Sequence, residues 1–156
     1  MGEKITIEQS KLLGNATRVK IISTIAETPR TAKQVATILG QSPGNIHYHM
    51  KQLFEGGLVD LVETKEINGI TEKYYQSKAK WFDGGPDTSD PALAENFQSD
   101  FSTKLNLRLQ LTEEERDQLT EEFKALLEKW VKQTGKNENA KEYAIGIQIV
   151  DTVEKE

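Results

Sequence analysis

The chain has 156 residues and no cysteine. That excludes disulfides, thiol nucleophiles and thiolate metal sites, and it fits a reducing, cytoplasmic compartment. Only two histidines occur, His47 and His49. On a helix, side chains two positions apart point about 200° apart, so this pair cannot chelate one ion. No metal site and no cofactor are expected. There is no glycine-rich phosphate loop. The acidic run Glu113-Glu114-Glu115 is explained by the first turn of a helix, where carboxylates meet the positive end of the dipole. Catalysis therefore has no visible machinery, and the chain is expected not to be an enzyme. No apolar run approaches the roughly 20 residues that span a bilayer. The opening MGEKITIEQS lacks the apolar stretch of a signal peptide. With 36% hydrophobic residues and a mean hydropathy of −0.61, a modest core is expected.

Net charge is −5, which by itself argues against a nucleic-acid partner. Its distribution argues the other way. Residues 1–80 hold 11 Lys+Arg against 8 Asp+Glu, net +3, whereas residues 81–156 hold 9 against 17, net −8. The first half can neutralise phosphates while the acidic second half discourages docking from the wrong side.

Residues 40–57, GQSPGNIHYHMKQLFEGG, carry the strongest signal. Ser42 is an N-cap, Pro43 suits the first helical position, and Gly56 or Gly57 supplies a left-handed cap. Ile46, Met50 and Leu53 recur at i, i+4, i+7 as one apolar stripe. The other face presents Asn45, His47, Tyr48 and Lys51. Upstream, Thr31 caps TAKQVATILG, with Val35, Ile38 and Leu39 inward and Gly40 as its stop. A three-residue connector then makes a helix-turn-helix. An earlier helix over roughly Asn15–Glu27 offers Val19, Ile22 and Ile25 before Pro29 ends it. After the helices, Asn68-Gly69 lies between two β-compatible runs, 58–67 and 70–77, and predicts a hairpin with a type I′ turn.

Three helices followed by a hairpin is the order of a winged helix. Residues about 12–80 resemble the winged-helix domain of ArsR-type bacterial transcriptional regulators. The likeness rests on Leu13-Gly14-Asn15-Ala16-Thr17-Arg18, on Ser42-Pro43 through His47-Tyr48-His49-Met50, on Leu53 and Gly57-Leu58-Val59, and on Lys73-Tyr74-Tyr75. The resemblance implies double-stranded DNA as partner and base reading at Asn45, His47, Tyr48 and Lys51, with Ser42 at the helix start. The same residue types fit a solvated helix face. Asn pairs with adenine, Lys with guanine or phosphate, and Tyr with a phosphate or thymine methyl. Backbone amides at the start of the preceding helix suit a phosphate, which adds Thr31, Lys33 and Gln34, with Arg30 adjoining. The wing contributes Lys65, Asn68 and Lys73, interleaved with Glu63, Glu66 and Glu72. Many ArsR-type proteins sense metals through cysteine pairs, which this chain lacks.

The stretch FDGGPDTSDP, residues 82–91, breaks the composition and reads as a linker; a short helix is expected over 91–99. TKLNLRLQL, 103–111, then alternates Leu with polar residues as a half-buried strand does, and EYAIGIQIV, 142–150, repeats the pattern. Between them Thr112 and Glu115 open a helix as a capping box, with Leu119, Phe123, Leu126, Leu127 and Trp130 on one face. Strand, helix, strand predicts a right-handed parallel crossover. Two strands and one helix bury too little to stand alone, so this unit is expected to pair with a second copy. The aromatics Trp81, Phe82, Phe97, Phe101, Phe123, Trp130 and Tyr143 read either as core and dimer interface or as a pocket for a small-molecule effector.

The expected fold is α+β: a winged helix-turn-helix over residues 1–81, a linker over 82–102, and a β-α-β dimerisation unit over 103–156. The expected function is a homodimeric, sequence-specific transcriptional regulator, a repressor on a near-palindromic operator, with no membrane association. Two alternatives stay open: a winged helix serving as a protein-interaction module, and a small-molecule binder in which DNA binding is secondary.

Overall fold

A computed structural model describes residues 2–86 and 88–156. Its elements run β1 (Glu3–Lys4), α1 (Ile7–Leu12), α2 (Ala16–Ile25), α3 (Ala32–Leu39), α4 (Pro43–Glu55), β2 (Val59–Ile67), β3 (Ile70–Ser77), β4 (Phe82–Asp83), one 3-10 turn (Pro91–Leu93) and α5 (Glu113–Gln133).

Each helix of the head begins on a side-chain cap. Asn15 accepts from the Arg18 N–H, Thr31 and Gln34 form a reciprocal capping box, and Ser42 accepts from the Asn45 N–H. These bonds satisfy amides that a helix start leaves without an internal partner. Gly40 ends α3 in the left-handed region at φ 65°, and its N–H returns to the carbonyls of Ala36 and Thr37. Only three residues then separate α3 from α4, so the two helices must cross at a sharp angle.

The crossing is filled by side chains that exclude all water. Ile21 and Ile25 of α2, Val35 of α3, and Ile46, Met50 and Leu53 of α4 are at most 1% exposed, together with Leu58 and Val59 at the start of the hairpin. The i, i+4, i+7 stripe of α4 is therefore its buried face. The hairpin pairs Val59 with Ser77 and closes at Ile67 with Ile70. Asn68 at φ 53° and Gly69 at φ 76° make the tip. A register shift between Leu61 and Glu63 leaves Val62 as an extra residue, a bulge that increases the twist of the wing. Arg30 exchanges two backbone bonds with Tyr75, which fastens the wing to the start of α3.

Two features at the N-terminus were not expected from the sequence, although Thr6 and Gln9 form a capping box at the start of α1. Helix α1 lies against the end of α4, where Gln9 Nε2 donates to the Gly56 carbonyl and Leu12 fills the space a Cβ at Gly56 would need. Strand β1 pairs in parallel with β4. Phe82 consequently packs on the core, and the chain leaves the head after Asp83, not before it.

In the C-terminal half α5 forms as expected, with Thr112 and Glu115 as its capping box. The rest departs from the sequence reading. The expected helix over 91–99 is only the turn Pro91–Leu93; one apolar pair cannot offset the cost of nucleating a short helix. The β-α-β unit does not close within the chain. Segments 103–111 and 142–150 form no ladder, either with each other or with the head. A lone parallel pair would leave both edges unpaired, and parallel pairing is the weaker kind. Helix α5 leans instead on α2 and on Lys80 and Trp81, just beyond the wing. Among the described residues, no helix is long and apolar enough to cross a membrane.

Replacing Met50 by Ala is expected to cost about 2–5 kcal/mol in urea unfolding, the usual result of emptying a closed core site. Tyr48→Ala, on the opposite face, should change stability by less than about 0.5 kcal/mol. Equal losses would mean that the two faces of α4 are assigned wrongly.

Candidate nucleic-acid interface

Helix α4 turns Asn45, His47, Tyr48 and Lys51 outward, opposite its buried stripe. Tyr48 is 54% exposed although it is a large aromatic, and its ring meets His49 edge-on at 5.2 Å. The Asn45 side-chain N–H donates to Gln41 Oε1 at 2.8 Å, which aims the amide while leaving its oxygen and second N–H free. Gln41 belongs to the turn and has no distinctive mark in the sequence. Lys51 lies 3.9 Å from Glu55, and both side chains are mostly in water. Such a pair is weak, so Lys51 can exchange it for a phosphate or a base at little cost.

His49 does a different job from His47. It is partly buried, and its Nδ1 accepts from Arg18 Nε at 3.1 Å. A second Arg18 nitrogen reaches the Leu12 carbonyl at 3.4 Å. Burial, and then the Arg18 charge, hold the His49 pKa below its ordinary value. The neutral ring links α4 to α2 and to the end of α1, and so fixes the pitch of the exposed face.

The residues at the start of α3 divide by role. The hydroxyl of Thr31 and the carboxamide oxygen of Gln34 are occupied in the capping box. Lys33 is exposed beside them. Arg30 points away: its Nε donates to the Thr24 carbonyl at 3.3 Å, behind the head. The Ser42 hydroxyl is likewise used as a cap. These polar side chains shape the backbone amides rather than reach outward.

The wing separates its two lysines. Pairing of Lys65 with Glu72 and of Glu63 with Tyr74 puts all four on one face. Lys65 Nζ is 3.8 Å from Glu63 and 4.9 Å from the centre of the Tyr74 ring. The Tyr74 hydroxyl donates to Glu72 at 3.1 Å, and that bond, with burial and the nearby carboxylates, raises the phenol's pKa. Lys65 is thus surrounded by acid. Lys73, opposite Thr64, stands on the other face, and no carboxylate lies within 4 Å of it among the described residues. Asn68 occupies the tip, where its positive φ makes the turn.

The seven aromatics do not converge. Trp81 donates to Glu128 Oε1 at 2.6 Å, Phe82 packs on the head, and Phe101 meets Tyr143 edge-on at 6.1 Å. Phe97 and Trp130 are exposed, and Phe123 is half-buried on α5.

The His49 pKa shift has a consequence for stability. As pH falls through 6.5 the unfolded chain takes up a proton that folded His49 resists, so stability is lost on acidification and is present above that pH. His49→Gln should remove this part of the loss in urea titrations between about pH 7.5 and about pH 5.5. An NMR midpoint for His49 at or above 6.5 would contradict the assignment.

Residues 13–62 match the helix-turn-helix domain family. No curated protein matches the chain. The matched span runs from Leu13 through α2, α3 and α4 into β2, and leaves the C-terminal half outside. With α3 and α4 joined by a three-residue turn and α4 seated by its apolar stripe, residues 13–62 are a helix-turn-helix domain, the unit by which transcription regulators bind DNA.

Proposed function

We propose that this protein is a sequence-specific regulator of transcription, an ArsR-type winged-helix repressor of bacterial type that acts as a cytoplasmic homodimer on a near-palindromic operator and has no enzymatic activity. The observation that carries the reading is the outer face of α4. Asn45, His47, Tyr48 and Lys51 all stand exposed on one side while the inner face is locked in the core. Lys33 and Lys73 flank it as phosphate contacts that set register without reading sequence.

The homodimer rests on the C-terminal half. Leu105 is 91% exposed, Leu107 75% and Ile145 71%, in segments whose backbone has no ladder partner. Segment 103–111 bears Lys104 and Arg108 with no acid; segment 142–151 bears Glu142 and Asp151 with no base. The Phe101–Tyr143 contact holds the two starts together, so both run from the same end. Strands that complement each other in charge and pattern, yet stay unpaired in one chain, fit pairing with those of a second copy. Leu126 and Trp130 on α5 extend the apolar surface. A dimer of this kind places two α4 helices in successive major grooves, with half-site centres about 10 base pairs, or a multiple, apart.

A selection from random duplexes at near-physiological salt should enrich an inverted repeat. Folded protein that enriches no motif would favour a protein-interaction module instead. On the selected site, Tyr48→Ala and Lys51→Ala should each weaken binding by about 1–3 kcal/mol, whereas Lys73→Ala should weaken all sequences alike and flatten the salt dependence. The double variant Leu107→Asp, Ile147→Asp should be monomeric by light scattering at micromolar concentration. A monomeric parent under the same conditions would remove the homodimer.

A further inference from the structure

Behind the head, α2, the loop before α3, the end of α3 and the C-terminal end of α5 border a half-open cavity of about 420 Å³. That volume is in the range that accepts small molecules, roughly 300–1,000 Å³. Four cations line it: Lys20 on α2, Arg30 before α3, Lys132 on α5 and Lys136 just beyond. The one carboxylate in the lining, Glu27, lies 3.5 Å from Lys80. Among the described residues, none of the four cations forms an ion pair.

Two of them are held in place by neutral acceptors. Lys20 Nζ donates to the Val131 carbonyl at 2.8 Å, and Arg30 Nε donates to the Thr24 carbonyl at 3.3 Å. Burial, and then the charge of Lys136, lower the Lys20 pKa. Four positive charges therefore share one concavity with a single carboxylate, Glu27, which is itself paired with Lys80, an excess of like charge that a bound anion relieves. The hydroxyls of Ser23 and Thr28 offer neutral donors on the same wall, and Ile38 and Leu39 form an apolar one.

We propose that this cavity is a binding site for a small phosphorylated molecule, whose phosphate is held by Lys20, Arg30, Lys132 and Lys136 and whose body rests on Ile38 and Leu39. A phosphate monoester brings about −1.5 to −2 charges and three acceptor oxygens, which suits several amines around one concavity. Bound there it joins α2 of the head to α5. That link gives it leverage over the spacing of two heads, a consequence that rests on the homodimer proposed above; the binding site itself does not.

Pyrophosphate and glucose 6-phosphate serve as ligands for titration of the full chain by calorimetry at constant ionic strength, with sulfate as the control for charge alone. Saturable binding of both phosphates is expected, tighter than sulfate. The double variant Lys132→Gln, Lys136→Gln should weaken it at least about tenfold, the scale of losing charge-assisted bonds, with an unchanged urea midpoint showing that the fold survives. Equal binding by parent and variant, or affinity that merely tracks ionic charge, would overturn the site. A random DNA duplex supplies the second arm. Pyrophosphate that still binds when the protein is saturated with duplex supports a free ligand; strict competition between the two would overturn that and assign the cavity to backbone phosphate.

Discussion

The seating of α4 is the constraint on which the rest of the molecule depends. Ile46, Met50 and Leu53 lie in a space closed by Ile21, Ile25 and Val35, and none of them can rotate out without exposing apolar surface. Because a helix presents one face for each face it hides, burying those three residues is what turns Asn45, Tyr48 and Lys51 outward. The polar bonds around the core refine this orientation. The Arg18–His49 bond sets the pitch of the helix, and the Gly40 turn sets its angle to α3. The outward side chains need little anchoring of their own, and the weak Lys51–Glu55 pair leaves them available.

The C-terminal half shows the same physics with the opposite outcome. Helix α5 buries no residue completely, and its contacts with the head are largely polar: Lys20 to the Val131 carbonyl, and Glu128 to Trp81 and Lys80. Burial raises the Glu128 pKa, but the bonds from Trp81 and Lys80 outweigh it and hold the carboxyl below its ordinary value. Such joints specify direction more than they supply energy, since desolvation offsets much of the attraction. The apolar groups that would supply energy, on 103–111 and 142–150, remain outside the fold of the single chain.

Much of the head was legible from residue types alone because its signals are local. Caps at Thr31 and Ser42, the Gly40 stop and the Asn68-Gly69 turn act within a few positions of themselves, and each is found where its chemistry requires. What escaped depends on contacts between distant residues. Helix α1 has a local signal in the Thr6–Gln9 capping box, but it is too short to show a period and is held by Gln9 and Leu12 against Gly56. Strand β4 exists only because residues 3–4 lie beside it. Of the candidate residues, the exposure of the α4 set was readable from its spacing. The roles of Arg30 and Lys65 were not, because nothing near Arg30 in sequence reveals that Thr24 draws it back, and only the register shows that Glu72 joins Glu63 around Lys65.

The charge asymmetry gains a meaning from these positions. The acid of the second half is not spread evenly. Glu113, Glu114 and Glu115 crowd the N-terminal turn of α5, and Lys129, Lys132 and Lys136 gather at and beyond its other end. Each group complements the helix dipole, which is reason enough for the pattern on a solvated helix. But the basic end is also the end that meets α2, and there Lys132 and Lys136 share a surface with Lys20 and Arg30 against the one carboxylate of Glu27. The helix is docked there through one backbone carbonyl, that of Val131, and one glutamate, Glu128, shared by Trp81 and Lys80. That joint ties α2 of the head to the C-terminal half by a few polar bonds, whose geometry is exacting and whose net contribution to stability is small.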